Sequence, residues 1–181
     1  MERSVPDNEE LEARLGELHE ASFGWACSCC GWNEADAEDV LQSTYVKVIS
    51  GRARFDGRSA FRTWLFGVIR LTASEQRRRI RSLRKKEDRF ATDVGHADAA
   101  VLRPEDPAER AERARIVRSA VETLPERQLE VLHLVFYEDM TIREAADVMA
   151  VSIGSARVHY DRAKKKLRQL LSEGASGGGA R

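Results

Sequence analysis

Apolar residues recur along this chain at three- and four-residue spacings, and β-branched residues are scattered rather than alternating. The pattern predicts an all-α fold. Residues 9–30 read as one helix. A second helix starts at a cap, Asn33 or Asp36, and runs to about Ile49, with Gly51 past its end. Its apolar stripe is Ala37, Val40, Leu41, Thr44, Tyr45 and Val48, which leaves Asp39, Gln42, Ser43 and Lys47 on the polar side. The turn RFDGRS follows, and Ser59 is placed to cap a third helix. There Phe61, Trp64, Leu65, Val68 and Ile69 repeat at helical spacing and face a core. That stripe fades into RRRIRSLRKK, so one end is anchored by packing and the other projects charge.

A second block begins near Pro107 with a helix to about Thr123. Leu124-Pro125 breaks it, because proline suits the first turn of a new helix. The new helix runs to about Tyr137 and is expected to bury Leu129, Leu132, Val135 and Phe136. Thr141 followed by Glu144 is a capping-box signature for a short helix over Ile142–Met149. Ser152 caps the last helix, whose stripe is Ala156, Tyr160, Ala163 and Leu167. Two short helices with a tight turn make a helix-turn-helix. Residues 90–108 carry two of the four prolines and no stripe, and the C-terminal end is glycine-rich. The expected organisation is therefore two small helical domains, 9–89 and 109–172, joined by a flexible linker at 90–108 and followed by a disordered tail at 173–181.

Composition changes this picture little: 42% of the 181 residues are hydrophobic and 33% charged, as in a soluble helical protein. No apolar run approaches the roughly 20 residues that cross a bilayer, and the acidic start MERSVPDNEE is no signal peptide. The chain thus reads as cytoplasmic, without membrane insertion. Charge is more telling. The formal net charge is zero, yet residues 1–51 hold 3 Lys/Arg against 11 Asp/Glu, while residues 52–90 hold 13 against 4. A second basic run, residues 157–168, has six basic side chains against Asp161 alone. Two basic patches favour a phosphate backbone, since neutralising it releases condensed counterions.

The helix-turn-helix gives one patch a geometry. Its second helix turns Ser155, Arg157, Val158, Asp161 and Arg162 outward, with His159 at the margin, and such a helix fits the major groove. Arg157 and Arg162 suit guanine edges or phosphates. Lys164, Lys165 and Lys166 suit the backbone.

The stretch CSCC raises metal or redox chemistry. A zinc site wants about four ligands, and there is no second cysteine pair. Cys27 and Cys30 continue a stripe with Phe23 and Ala26, so they read as small core residues, with Cys29 pointing outward. No metal, cofactor or catalytic constellation is expected, and the chain does not read as an enzyme.

The order of these features resembles the extracytoplasmic-function sigma factors, small promoter-specificity subunits of bacterial RNA polymerase. DAEDVLQSTYVKV is similar to the family's helix that binds the polymerase β′ coiled coil; RFDGRSAFRTWLFGVIR resembles its −10 reading segment. LPERQLEVLHLVFYEDMTIREAADVMAVSIGSARVHYDRAKKKLRQLL resembles its −35 reading domain. The resemblance implies that Asp39, Gln42, Ser43 and Lys47 face β′ of the core polymerase (β being the other core subunit contacted). It implies that the turn from Phe55 to Ser59, with Asp56 and Arg58, helps hold a flipped base, and that Arg62, Phe66, Arg70 and Arg77 contact −10 DNA. Ser155, Arg157, Val158, Asp161 and Arg162 would read the −35 element. The expected partners are core RNA polymerase, promoter DNA and an anti-sigma factor. The alternative is a helix-turn-helix regulator that is not a sigma subunit; core-polymerase binding separates the two.

Overall fold

The computed structural model describes residues 8–87 and 123–176. The expected linker, most of the helix before Leu124 and most of the tail lie outside the described residues. Residues 173–176, expected to be tail, continue the last helix. Among the described residues there are seven helices and no strand, and no helix is long and apolar enough to cross a membrane. The chain divides into two compact units.

The first unit holds α1 (Asn8–Glu17), α2 (His19–Cys29), α3 (Glu34–Ile49) and α4 (Phe61–Glu87). The single helix expected over 9–30 is two. The chain breaks at Leu18, which lacks a side-chain cap. The break lets two apolar stripes find different neighbours: α1 lies against α3 and α2, while α2 packs on both α3 and α4. Leu11 and Leu15 are buried on α1, and Ser22, Trp25, Ala26, Cys27 and Cys29 on α2. Asn33, not Asp36, caps α3: its side chain accepts the Asp36 N–H at 3.1 Å. Gly51, with φ of 70°, turns the chain beyond that helix. The buried stripe of α3 is Ala37, Val40, Leu41, Thr44 and Val48. Thr44 satisfies its hydroxyl on the Val40 carbonyl at 2.8 Å, while Tyr45 is half-buried.

Helix α4 departs from expectation in start and in phase. Ser59 is not its cap; its hydroxyl donates to the Ala60 carbonyl at 3.3 Å, and that same carbonyl accepts the Trp64 N–H. The buried stripe is Thr63, Leu65, Phe66, Ile69, Thr72 and Ala73. Phe61, Trp64 and Val68 are only half-buried. The stripe is rotated toward Phe66 because Trp25 on α2 demands it. Trp25 is fully buried, its ring stacks on Phe66 at 6.0 Å, and its Nε1–H donates to the Phe66 carbonyl at 3.0 Å.

The second unit is built on α5 (Glu126–Phe136) and α7 (Ile153–Ser176); α6 (Ile142–Met149), which opens the helix-turn-helix, belongs to it as far as Ala146. The expected burial of Leu129, Val135 and Phe136 is corrected. Val131, Leu132 and Leu134 are buried, whereas Leu129 and Val135 are half-buried and Phe136 is 59% exposed. The reason is that polar residues share the buried face. Glu130 pairs with Arg127 at 3.1 Å, and His133 lies 3.3 Å from Glu138 with both side chains buried. Tyr160 and Leu167 pack against Leu124, Leu132 and Ala163.

The ends of α6 are closed by local chemistry. Thr141 N–H donates to Glu144 Oε2 at 2.8 Å, and Glu144 N–H donates to Thr141 Oγ1 at 3.2 Å. This is a complete capping box. At the other end Val151 N–H reaches the Ala146 carbonyl and Ala150 N–H the Asp147 carbonyl. These are the two bonds of a Schellman turn. The left-handed position in it is Ala150, with φ of 52°, where glycine is the usual residue because a Cβ is strained there. Ala150→Gly is therefore expected to raise the melting temperature by about 2–5 °C, the released strain outweighing glycine's added chain entropy. A lower melting temperature would mean that the turn is not held left-handed.

Candidate binding surfaces

On α7 the helical repeat brings the expected DNA-reading residues to the surface together. Ser155, Arg157, Val158, Asp161 and Arg162 are all exposed, while Ala156 and Ala163 are fully buried beneath them. Ser152 caps the helix by accepting the Ser155 N–H at 3.0 Å. The Ser155 hydroxyl also lies 2.9 Å from that of Ser152, so it belongs to the cap as much as to the surface. The lysines divide. Lys164 sits 4.8 Å over the Tyr160 ring, and Lys166 donates to the Thr123 carbonyl at 3.2 Å. Lys165 is exposed. A rigidly capped helix with an Arg-bearing outer face can enter a groove without first being ordered.

On α3 the polar face is presented as expected for Asp39, Gln42 and Ser43, all exposed. Lys47 differs. Its ammonium is tied to α4, donating to Glu75 Oε2 at 2.6 Å and to Thr72 Oγ1 at 3.0 Å. The side chain expected to face a partner thus braces α3 on α4. The same outer face carries apolar side chains that sequence reasoning missed: Val46 is 57% exposed and Ile49 is 38%. Val46, one turn on from Gln42 and Ser43, and Ile49, two turns on from Gln42, were the available signal.

The loop before α4 is braced by its own charges. Asp56 accepts the Arg58 N–H at 3.1 Å through one oxygen and pairs with the Arg58 guanidinium at 3.2 Å through the other. Both side chains remain exposed. Phe55 is half-buried beside Phe61 and Trp64. Farther along, one expected contact is corrected: Phe66 is fully buried and cannot touch a ligand. Arg62, Arg70 and Arg77 flank this buried stripe rather than oppose it, and each is half-buried. Arg62 lies 5.3 Å over the Phe66 ring. Among the described side chains of α4, the exposed basic ones are Arg78, Arg79 and Arg81, visible in the sequence as part of its arginine run.

The cysteines are also corrected. Cys29 is buried rather than outward, as is Cys27, and Cys30 is half-buried. Cys30 lines a cavity of about 230 Å³ with Asp36, Arg77 and Ile80. Burial, reinforced by the Asp36 carboxylate and opposed by Arg77, pushes its thiol up to about 11. Burial and then Glu34 raise Cys27 as well. Among the described residues no group of His, Cys, Asp or Glu is placed to hold a metal ion. The raised Cys30 thiol leaves little thiolate near neutral pH. Iodoacetamide should therefore alkylate it at pH 8 at least about tenfold more slowly than a free cysteine; mass spectrometry of the folded protein would show an equal rate if the thiol were activated.

A helical unit with an exposed polar–apolar helix face and a self-braced loop, and a second unit ending in a capped, basic helix-turn-helix, fit a DNA-binding protein with a further docking face. Sequence comparison names the family. The Sigma-70 region 2 profile matches residues 22–87, and the Sigma-70 region 4 profile matches residues 114–167. The chain is 31% identical to the sigma factor CarQ of Myxococcus xanthus, over 78% of each chain. It is also 31% identical to the sigma-H factor of Pseudomonas aeruginosa, over 76% of each. Its fold matches the sigma factor RpoE solved with the anti-sigma factor NepR from Bartonella quintana. That match has a TM-score of 0.69 at 23% identity and covers 91% of this chain and 98% of that one. CnrH, solved with the cytosolic domain of CnrY, matches with a TM-score of 0.59 at 27% identity, over 89% and 87%. The chain belongs to the extracytoplasmic-function sigma factors and is an RNA polymerase sigma factor.

Proposed function

We propose that the two units divide the work of promoter recognition. The outer face of α3, through Asp39, Gln42 and Ser43, docks on the β′ subunit of core polymerase. The loop around Phe55, Asp56 and Arg58 captures an unpaired base of the −10 element. Arg62, Arg70 and Arg77 follow the adjacent strand, and Arg157, Val158, Asp161 and Arg162 read the −35 element. The protein performs no bond chemistry of its own on this reading; the polymerase supplies it. The observation that carries it is the exposed, doubly capped helix-turn-helix in the same chain as a separate helical unit with an exposed docking face. A regulator that only bound DNA would have no use for that second face. Since one structural relative was solved with an anti-sigma factor and another in complex with the cytosolic domain of CnrY, we infer that an anti-sigma factor shields this chain too. Constitutive activity of the unpartnered protein in its own cell would overturn that.

The direct test is transcription by bacterial core polymerase on a genomic DNA library, with and without this protein, with sequencing of RNA 5′ ends. New starts sharing two upstream motifs at fixed spacing are expected. If there are none, and another sigma factor shows the polymerase to be competent, a pull-down of core polymerase decides between a mismatched polymerase and a plain DNA-binding regulator. Within this scheme Asp39→Ala with Gln42→Ala should weaken core binding about tenfold in a competition assay, since each truncation removes an exposed polar contact worth about 1 kcal/mol or less. Binding of the free protein to duplex DNA should not change; a parallel loss there would contradict the division of labour.

A further inference from the structure

Three aromatic rings meet where the loop joins α4. Phe55 lies edge-on to Phe61 with centroids 5.3 Å apart, and tilted to Trp64 at 5.4 Å. Phe61 and Trp64 are themselves 5.3 Å apart. None of the three is fully buried, so the cluster is a surface feature and not part of the core around Trp25. Aromatic pairs at these separations have preferred orientations, and two rings fix a third better than one does. The cluster is closed by a residue from another helix. The Arg14 guanidinium of α1 lies 5.5 Å over the Phe61 ring and is held there by Glu10, at 2.6 Å one turn before it.

We propose that Arg14, Phe61 and Trp64 are positioning residues for Phe55, so that α1 helps set how strictly the loop selects its unpaired base. The inference rests on reading the loop as the base-capturing element. Extruding a base costs a few kcal/mol, which stacking and hydrogen bonds in the receiving site must offset. A receiving ring free to turn loses conformational entropy on binding and stacks on any base in several ways. A ring already held in one orientation loses less, and favours the base whose edge meets the adjacent polar groups in that orientation. Those groups are the Asp56 carboxylate and the Arg58 guanidinium, which brace each other in the same loop. The cation over Phe61 adds an attraction along the ring normal that an aliphatic neighbour lacks.

A purely structural role makes a different prediction. If the cluster only packs the loop, its variants lower thermal stability and reduce every promoter alike. The test uses holoenzyme assembled from core polymerase and full-length protein, on promoters recovered by 5′-end mapping and their single-base −10 variants. The readout is the ratio of initiation between preferred and substituted base at each −10 position, alongside core affinity and melting temperature. Phe55→Ala should collapse the ratio at one position. Arg14→Ala should lower that same ratio about threefold, Arg14→Lys should restore much of it, and Phe61→Leu should lower it about as far. Core affinity of the Arg14 variants should stay at the wild-type value, and the melting temperature of Arg14→Ala should fall by no more than about 5 °C, the loss of one exposed cation–π contact. If Phe55→Ala collapses the ratio but Arg14→Ala leaves it unchanged, the positioning role is wrong and the loop reading stands. If Phe55→Ala alters no position, the loop reading itself fails, and the positioning role with it.

Discussion

Replacing Arg157 and Arg162 together with alanine is expected to reduce initiation at promoters that depend on an upstream element by about a hundredfold, with core-polymerase affinity unchanged. A good Arg contact to a base edge or phosphate is worth about 1–3 kcal/mol, and 1.4 kcal/mol is a factor of ten, so two contacts supply that loss. Both side chains stand exposed on α7, while the buried contacts of the helix run through Ala156 and Ala163. The helix should therefore survive, and circular dichroism should be unchanged. The single variants separate two kinds of contact. Loss of a base-edge contact relaxes preference at one −35 position. Loss of a phosphate contact weakens all sequences alike and lowers the slope of log affinity against log salt by about one. Undiminished initiation by the double variant, at salt where wild-type protein discriminates, would remove α7 from the reading surface. Asp161 sharpens the expectation, because an exposed carboxylate between two arginines repels phosphate. It is tolerable only where the helix meets bases, as an acceptor for a cytosine amino group. Asp161→Ala should then raise non-specific binding while blurring the −35 preference.

The helix-turn-helix was legible because its signals are local. Thr141 and Glu144 are three residues apart, Ser152 lies just before its helix, and both caps form as the spacing demands. The stripe of α3 was legible for the same reason: one amphipathic helix against one core encodes its own phase. What the sequence hid depends on distant partners or on polar groups in apolar places. Glu130 and His133 are buried on α5 through pairing with Arg127 and Glu138, so a stripe drawn from apolar residues alone falls out of phase and buries Phe136, which stands exposed. Cys29 reads as outward when residues 9–30 are taken as a single helix; the break at Leu18 and the packing of α2 on two neighbours bury it. Lys47 reads as a docking residue until Glu75, twenty-eight positions later, arrives beside it. Among the candidate site residues, the exposure of those on α7, which lie together on one element, was the easiest to foresee. Those around α4 were hardest, because their exposure is fixed by α2.

Phe66 is the residue on which the two descriptions of α4 differ most, and Trp25 decides between them. Trp25→Ala is expected to destabilise the first unit by about 3–5 kcal/mol, the range for truncating a buried aromatic ring. A small helical unit has little more stability than that in total. The variant should lose core binding because the unit that carries α3 no longer holds its shape. Trp25→Phe keeps a ring to stack on Phe66 but removes the Nε1–H that reaches the Phe66 carbonyl. Its cost should be smaller, about 1–2 kcal/mol: one hydrogen bond and the volume difference. Phe66→Leu completes the comparison. If Phe66 touched promoter DNA, this variant would lose initiation at an unchanged melting temperature. With Phe66 fully buried against Trp25, the melting temperature should fall instead. Pairing Phe66→Leu with Trp25→Leu should then cost less than the sum of the two, because each change removes the same ring contact. Additive losses, or a silent melting temperature with impaired initiation, would return Phe66 to the surface and turn the arginine-flanked face of α4 outward with it.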